Sequence, residues 1–127
     1  MLEFKFSAYD TANNKMIAWD KLKEMPLFLE NPEFKISQSI GYPDKDGNEL
    51  YTNDIVEWKG YSILNEGNMF RHICVVVNDK KEFCGWVLLS LEHINSGYIP
   101  IGKFGAMSSE LTKLGNIFIN PELLTNY

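Results

Sequence analysis

Arginine is almost missing from this chain. Arg71 stands alone, and 12 basic residues in all face 17 acidic ones, a net charge of −5 over 127 residues. No run of Lys and Arg builds up anywhere. That argues against a nucleic-acid groove, where clustered cations must displace condensed counterions. Cysteine is nearly as scarce: Cys74 and Cys84 are the only two, too few for a disulfide framework, so a reducing, cytoplasmic setting is expected. No apolar run approaches the roughly 18–20 residues of a membrane-spanning helix. The opening "MLEFKFSAYD" alternates instead of forming a signal-peptide core, so neither export nor a membrane is expected. Glycine-rich phosphate loops are absent too. "IGKFG" (101–105) is too short to cradle a phosphate and leaves Lys103 as a weak anion-site candidate.

What is present is apolar and aromatic: 45% hydrophobic and 13% aromatic residues, enough for one domain to bury a core. Alternation predicts a strand over Leu2–Asp10, a turn at Thr11–Asn14 and a returning strand over Lys15–Asp20. Pro26 and Pro32 forbid a long helix between Lys21 and Gly41, so short pieces are expected, one of them a short helix within Lys21–Leu29, before a strand near Phe34–Ile40. Strands are predicted at Asp54–Gly60, Phe70–Val77, Phe83–Leu91 and Leu111–Ile119, the last kinked at Gly115. Phe70–Val77 and Phe83–Leu91 should pair as a hairpin. "NPELL" (120–124) offers Asn120 as N-cap and Pro121 at the first helical position of a short closing helix. The fold class is therefore mainly β, a small barrel or roll of short antiparallel strands with a short C-terminal helix. It is one domain over 1–127, divisible into an N-terminal hairpin part (1–40) and a barrel-like part (41–127).

The stretch "GYPDKDGNELYTNDIVEW" (41–58) sets two acids, Asp44 and Asp46, just before a glycine. A calcium loop needs ligands at positions 1, 3 and 5, glycine at 6 and a bidentate Glu at 12. Counting from Asp44 puts Gly47 at 4, and placing Gly47 at 6 puts Tyr42 at 1 and Asn53 at 12. Neither register works, so the stretch is read as a turn, with Asp46-Gly47 at its corner. His72, His93, Cys74 and Cys84 lack the paired spacing of a zinc site, and Cys84 with His93 lacks a nucleophile elbow. No metal and no cofactor are expected. The richer set is aromatic and cationic: Trp58, Lys59, Tyr61, Arg71, Trp86, Tyr98 and Lys103 are the candidates for a stacking pocket or a protein hot spot. Trp58 and Trp86, in strong strands, are expected to be buried.

The same stretch resembles the core of the YopX family, small proteins of phages and prophages, with its "GxxDKxGxExYxxDIV" element. Gly41, Asp44, Lys45, Gly47, Glu49, Tyr51, Asp54, Ile55 and Val56 match as they stand. "KFSAYDTANNKMI" resembles the family's opening, and "LGNIFINPELL" its end. Ser7, Tyr9 and Asn53 depart from the pattern, the last where glycine is common, and 59–105 match poorly. The resemblance implies a β-rich, oligomeric protein of a mobile element and carries no catalytic residues. The matched residues themselves look like scaffold.

The expectation is thus a non-enzymatic, phage- or prophage-encoded binding protein, a homo-oligomer in the bacterial cytoplasm, acting in counter-defence. It would occupy a host immune protein or sequester a nucleotide signal, and the second role requires Lys59, Arg71 and Lys103 to converge. A nucleic-acid-associated regulator, a virion component, and a small-molecule enzyme built on Cys84, His72, His93 and Asp54 are the alternatives.

Overall fold

The computed structural model describes residues 4–61, 69–79, 85–90, 98–101 and 110–124, with the backbone alone at 60, 61, 69–71, 79, 85–87, 90 and 98–100. The alternating N-terminal stretch forms β1 (Phe6–Asp10), paired antiparallel with β2 (Lys15–Ile17). The Asp10 carboxylate closes the turn between them, accepting the Ala12 and Asn13 backbone N–H at 3.0 and 3.3 Å, and Asn14 takes the left-handed conformation (φ 53°). β2 is shorter than its sequence predicts. At Trp19 the chain coils into a one-turn helix, α1 (Trp19–Leu22), because Trp19 and Leu22 then both reach the apolar face of β1. A 3₁₀ turn at Phe28–Glu30 follows, and β3 (Phe34–Pro43) pairs with the other side of β1.

β4 (Glu49–Tyr51) and β5 (Asp54–Tyr61) lead into β6 (Met69–Asp79), β7 (Gly85–Ser90), β8 (Tyr98–Pro100) and β9 (Leu111–Asn116). Among the described residues these strands make two antiparallel sheets, ordered β2-β1-β3-β4 and β8-β7-β6-β5-β9. The β6–β7 hairpin forms as expected, and its register sets Cys74 opposite Ser90. β9 stops at Asn116, short of Ile119, because the Asn116 side-chain amide Oδ1 accepts the Phe118 and Ile119 N–H, both at 2.9 Å, and turns the chain. The kink at Gly115 is a bulge: Ile55 pairs with Gly115 but Val56 with Lys113, leaving Leu114 extra. A Cβ on Gly115 would collide with the Asn120 carboxamide, whose Oδ1 accepts the Asn116 N–H. Asn120 therefore turns its side chain back toward the bulge, and the closing helix is a single 3₁₀ turn, Pro121–Leu124.

The nearly unbroken apolar run of β6 is explained by burial on both faces. Cys74 and Val76 join Val56, Leu88, Leu111, Ile40 and Leu50 in one core, tying the two sheets together. Ile73 and Val75 join Ile55 in another, covered by Ile117, Leu123 and Leu124 of the C-terminal segment. A third cluster, Ala8, Ile17 and Leu22 with Phe6, Trp19 and Phe28, lies under the N-terminal hairpin. No helix among the described residues is long and apolar enough to cross a membrane.

Candidate functional site

The β3–β5 segment holds the most polar ground in the interior, and each acid there has a distinct task. Asp44 follows β3 directly and is 4% exposed. Its Oδ1 accepts the backbone N–H of Asp46 (2.9 Å) and Asn48 (2.8 Å), shaping the turn that Gly47 completes at φ 86°. Its Oδ2 accepts the Lys113 N–H at 2.8 Å, across 69 residues, while the Lys45 N–H reaches the Leu111 carbonyl at 2.9 Å. The turn thus covers the outer edge of β9, which would otherwise offer open backbone groups. Burial works against the Asp44 charge, but the N–H groups of Lys113 and Asn48, the Asn48 amide and the Asp46 N–H outweigh it, and its pKa lies below the ordinary carboxylate value.

Glu49 on β4 accepts the Ser39 hydroxyl at 2.9 Å and the Tyr51 phenol at 3.3 Å, with Lys5 3.6 Å away. Asn53 takes the left-handed conformation (φ 73°) that glycine would supply, and it uses its side chain as glycine cannot. Its Nδ2 donates to Ser37 Oγ at 3.0 Å, its N–H to the Val76 carbonyl at 2.8 Å, and its carbonyl accepts Ile117 N–H at 3.0 Å. One residue so binds β3, β6 and the C-terminal segment.

At the start of β5, Asp54 accepts the Tyr51 N–H at 2.8 Å through Oδ2, and the same oxygen lies 3.2 Å from Lys113 Nζ. The carboxylate is 5% exposed and the lysine 30%. Lys113 Nζ also donates to the Glu49 carbonyl at 3.3 Å and lies 5.7 Å from the Tyr51 ring centroid. Burial raises the Asp54 pKa, and Lys113 offsets this only in part. Tyr51, desolvated and beside Glu49, is pushed up to about 12. The cluster therefore sets a buried carboxyl group beside a lysine and, near neutrality, a neutral phenol.

Six of the seven residues expected to form an aromatic–cation pocket lie along the second sheet. Trp58 on β5 is partly buried against the central core, with its ring centroid 5.9 Å from that of His72 on the neighbouring strand. Lys59 is exposed and pairs with Glu57 at 3.3 Å, and its backbone lies directly opposite Arg71, as that of Tyr61 lies opposite Met69. The backbone of Trp86 pairs with Asn78 and that of Tyr98 with Leu89. Asn78 is seven residues along β6 from Arg71, roughly 23 Å at about 3.3 Å per residue, so Trp86 sits at the far end of the sheet from Lys59 and Arg71. Lys103, Cys84 and His93 lie outside the described residues. Cys74 is buried in the core.

Lys113 is the residue that sequence reasoning missed. Inside "LTKLGN" it reads as an ordinary exposed lysine, and no local signal marks it as the partner of Asp54. Ser7, in sequence only a departure from the family pattern, is 9% exposed beside this cluster.

Two antiparallel sheets, locked by buried acids that bind backbone N–H groups, define a small β-roll scaffold. The chain belongs to the YopX family: the family model described as YopX protein matches residues 5–125. Among solved structures it is similar to one described as the crystal structure of protein EF1440 from Enterococcus faecalis. That likeness has a TM-score of 0.62 at 19% identity and covers 98% of this chain and 99% of the other, which shows a shared fold. No curated protein matches the chain significantly.

Proposed function

We propose that this YopX-family chain is a non-enzymatic binding protein of a phage or prophage. In this reading it acts in the bacterial cytoplasm as a homo-oligomer and interferes with host functions by occupying a host immune protein or by sequestering a nucleotide signal. One observation carries the reading: the acids of the family element are spent inside the molecule. Asp44 holds three backbone N–H groups, Glu49 holds Ser39 and Tyr51, and Asp54 holds Tyr51 N–H and Lys113. Charges used this way build a rigid platform and leave recognition to the rest of the surface and to the bonding capacity these groups keep.

Native mass spectrometry of the tagged protein recovered from phage-infected cells tests this. A host protein retained in stoichiometric amount, or an added mass of a few hundred daltons per subunit, is the expected result. A bare monomer or oligomer from infected cells, with nothing retained, refutes it. Purified protein that turns over a small molecule refutes its non-enzymatic part.

A further inference from the structure

Beside the Asp54–Lys113 pair the molecule leaves a cleft of about 280 Å³ between the N-terminal hairpin and the β5–β9 edge. Ser7, Asp54 and Lys113 supply polar lining, and Met16, Ile17 and Ala18 an apolar one. Three features of this cleft bear on what it takes. Both bonds of the Asp54 carboxylate run through Oδ2, so Oδ1 remains an acceptor with no partner among the described residues. Lys113 Nζ, 3.2 Å from that carboxylate and bonded to the Glu49 carbonyl, has three protons and keeps one to donate. Ser7 is 9% exposed and lines the cleft, where its hydroxyl is able to donate or accept.

We propose that this cleft binds a compact, neutral heterocycle with an N–H beside a carbonyl, the lactam or imide edge of a uracil- or guanine-type nucleoside. The ring N–H donates to Asp54 Oδ1, the carbonyl accepts from Lys113 Nζ, and Ser7 Oγ completes the polar side. Acceptor and donor stand side by side on the protein, so the ligand must offer a donor and an acceptor side by side in return. The lysine already neutralises the carboxylate, so a lone charge on the ligand would lack a counter-charge and stay better solvated in water. The volume equals that of about nine waters at roughly 30 Å³ each, room for one ring system and not for a dinucleotide. Met16, Ile17 and Ala18 also border a wider trough in which Lys15 and Lys21 stand with Asp10 and Asp20. That balance of charge gives a phosphate no preference there, which favours the nucleoside over its phosphorylated forms.

This inference rests on the binding-protein reading and narrows its small-ligand branch from a nucleotide to a nucleoside, with the ligand at the Asp54 cleft instead of the Trp58–Arg71 strand pair. The test is a ¹H–¹⁵N titration of the full chain with uridine up to about 10 mM, well past a millimolar dissociation constant, and with guanosine up to its low-millimolar solubility. Saturable shifts at the Ser7, Ile17 and Lys113 amides are expected with at least one of them. 3-Methyluridine, which lacks the ring N–H, should not produce them. Ser7→Val, which removes the hydroxyl and adds bulk, should weaken binding at least about tenfold. Ser7→Ala serves the same purpose should the valine variant fail to fold. No saturable shift with either nucleoside overturns the proposal, as does equal binding of 3-methyluridine or wild-type affinity in a folded Ser7 variant. A host protein in the mass spectrum without nucleoside shifts sinks this proposal and leaves the binding-protein reading intact. Nucleoside shifts accompanied by consumption of the nucleoside keep the site and sink the non-enzymatic reading.

Discussion

Removing the Asp44 carboxylate is the sharpest test of the claim that the family acids are scaffold. Asp44→Ala strips the acceptor from the backbone N–H groups of Asp46, Asn48 and Lys113 and from the Asn48 amide. A hydrogen bond to a charged group contributes about 1.5–3 kcal/mol, and a donor that water can reach recovers part of that on substitution. The Asp46 and Asn48 groups lie at an exposed turn and recover most. The Lys113 N–H, between β9 and the turn, recovers least. Allowing for non-additivity, the loss should be about 3–5 kcal/mol, a large share of the ~5–15 kcal/mol that holds a domain together. Urea unfolding should show a lower midpoint at unchanged m-value, and hydrogen exchange should show protection lost first at Lys113. Asp46→Ala is the control: Asp46 is exposed and should change stability by no more than about 0.5 kcal/mol. A loss below about 1 kcal/mol for Asp44→Ala, or equal losses for the two, would refute the reasoning. The pH dependence has a definite sign. The Asp44 pKa is depressed in the fold, so its contribution is complete above the unfolded value near 4 and disappears as pH falls through the folded value.

Lys113→Met should cost about 3–5 kcal/mol at neutral pH by stranding the buried Asp54 charge, and the deficit should shrink on acidification as Asp54 takes up a proton, which denaturant midpoints across pH will show. On the alkaline side Tyr51, raised to about 12, stabilises the fold below its unfolded value near 10, and this contribution is lost as pH rises toward 12. Ultraviolet titration should accordingly show one late phenolate that Tyr51→Phe removes. Gly115→Ala should cost about 1–3 kcal/mol, because its methyl displaces the Asn120 carboxamide from the Asn116 N–H, and thermal melts with Asn120→Ala as the second arm of a double-mutant cycle should show strong coupling. Leu27, left-handed at φ 57° and 72% exposed, should tolerate Leu27→Gly with a gain of up to about 1 kcal/mol, since relief of strain exceeds the added freedom of the unfolded chain; a clear loss in the midpoint would count against that strain.

What the sequence determined by itself is what short-range physics controls. Alternation set the strands of the N-terminal hairpin, and side-chain oxygens next to glycine or asparagine set the turns at Asp10–Asn14 and Asp44–Gly47. The β-branched run Phe70–Val77 marked a strand, but that both its faces would be covered was not legible. The matched residues of the Asp44–Val56 element could be read as scaffold because their turn chemistry is local. Where Lys15–Asp20 leaves its strand was not legible, since Trp19 coils to reach a core supplied by Phe6 and Phe28. Nor was the backward turn of Asn120, which depends on the empty space above Gly115. The candidate site itself was decided by the tertiary structure. Asp54 becomes a buried, lysine-paired carboxylate only when the β5–β9 pairing brings up Lys113. Ser7 comes to line a cleft only when the two sheets close on each other. Hydrogen bonding and desolvation act over a few ångströms of space, and no pattern along the chain records which distant residues will share them.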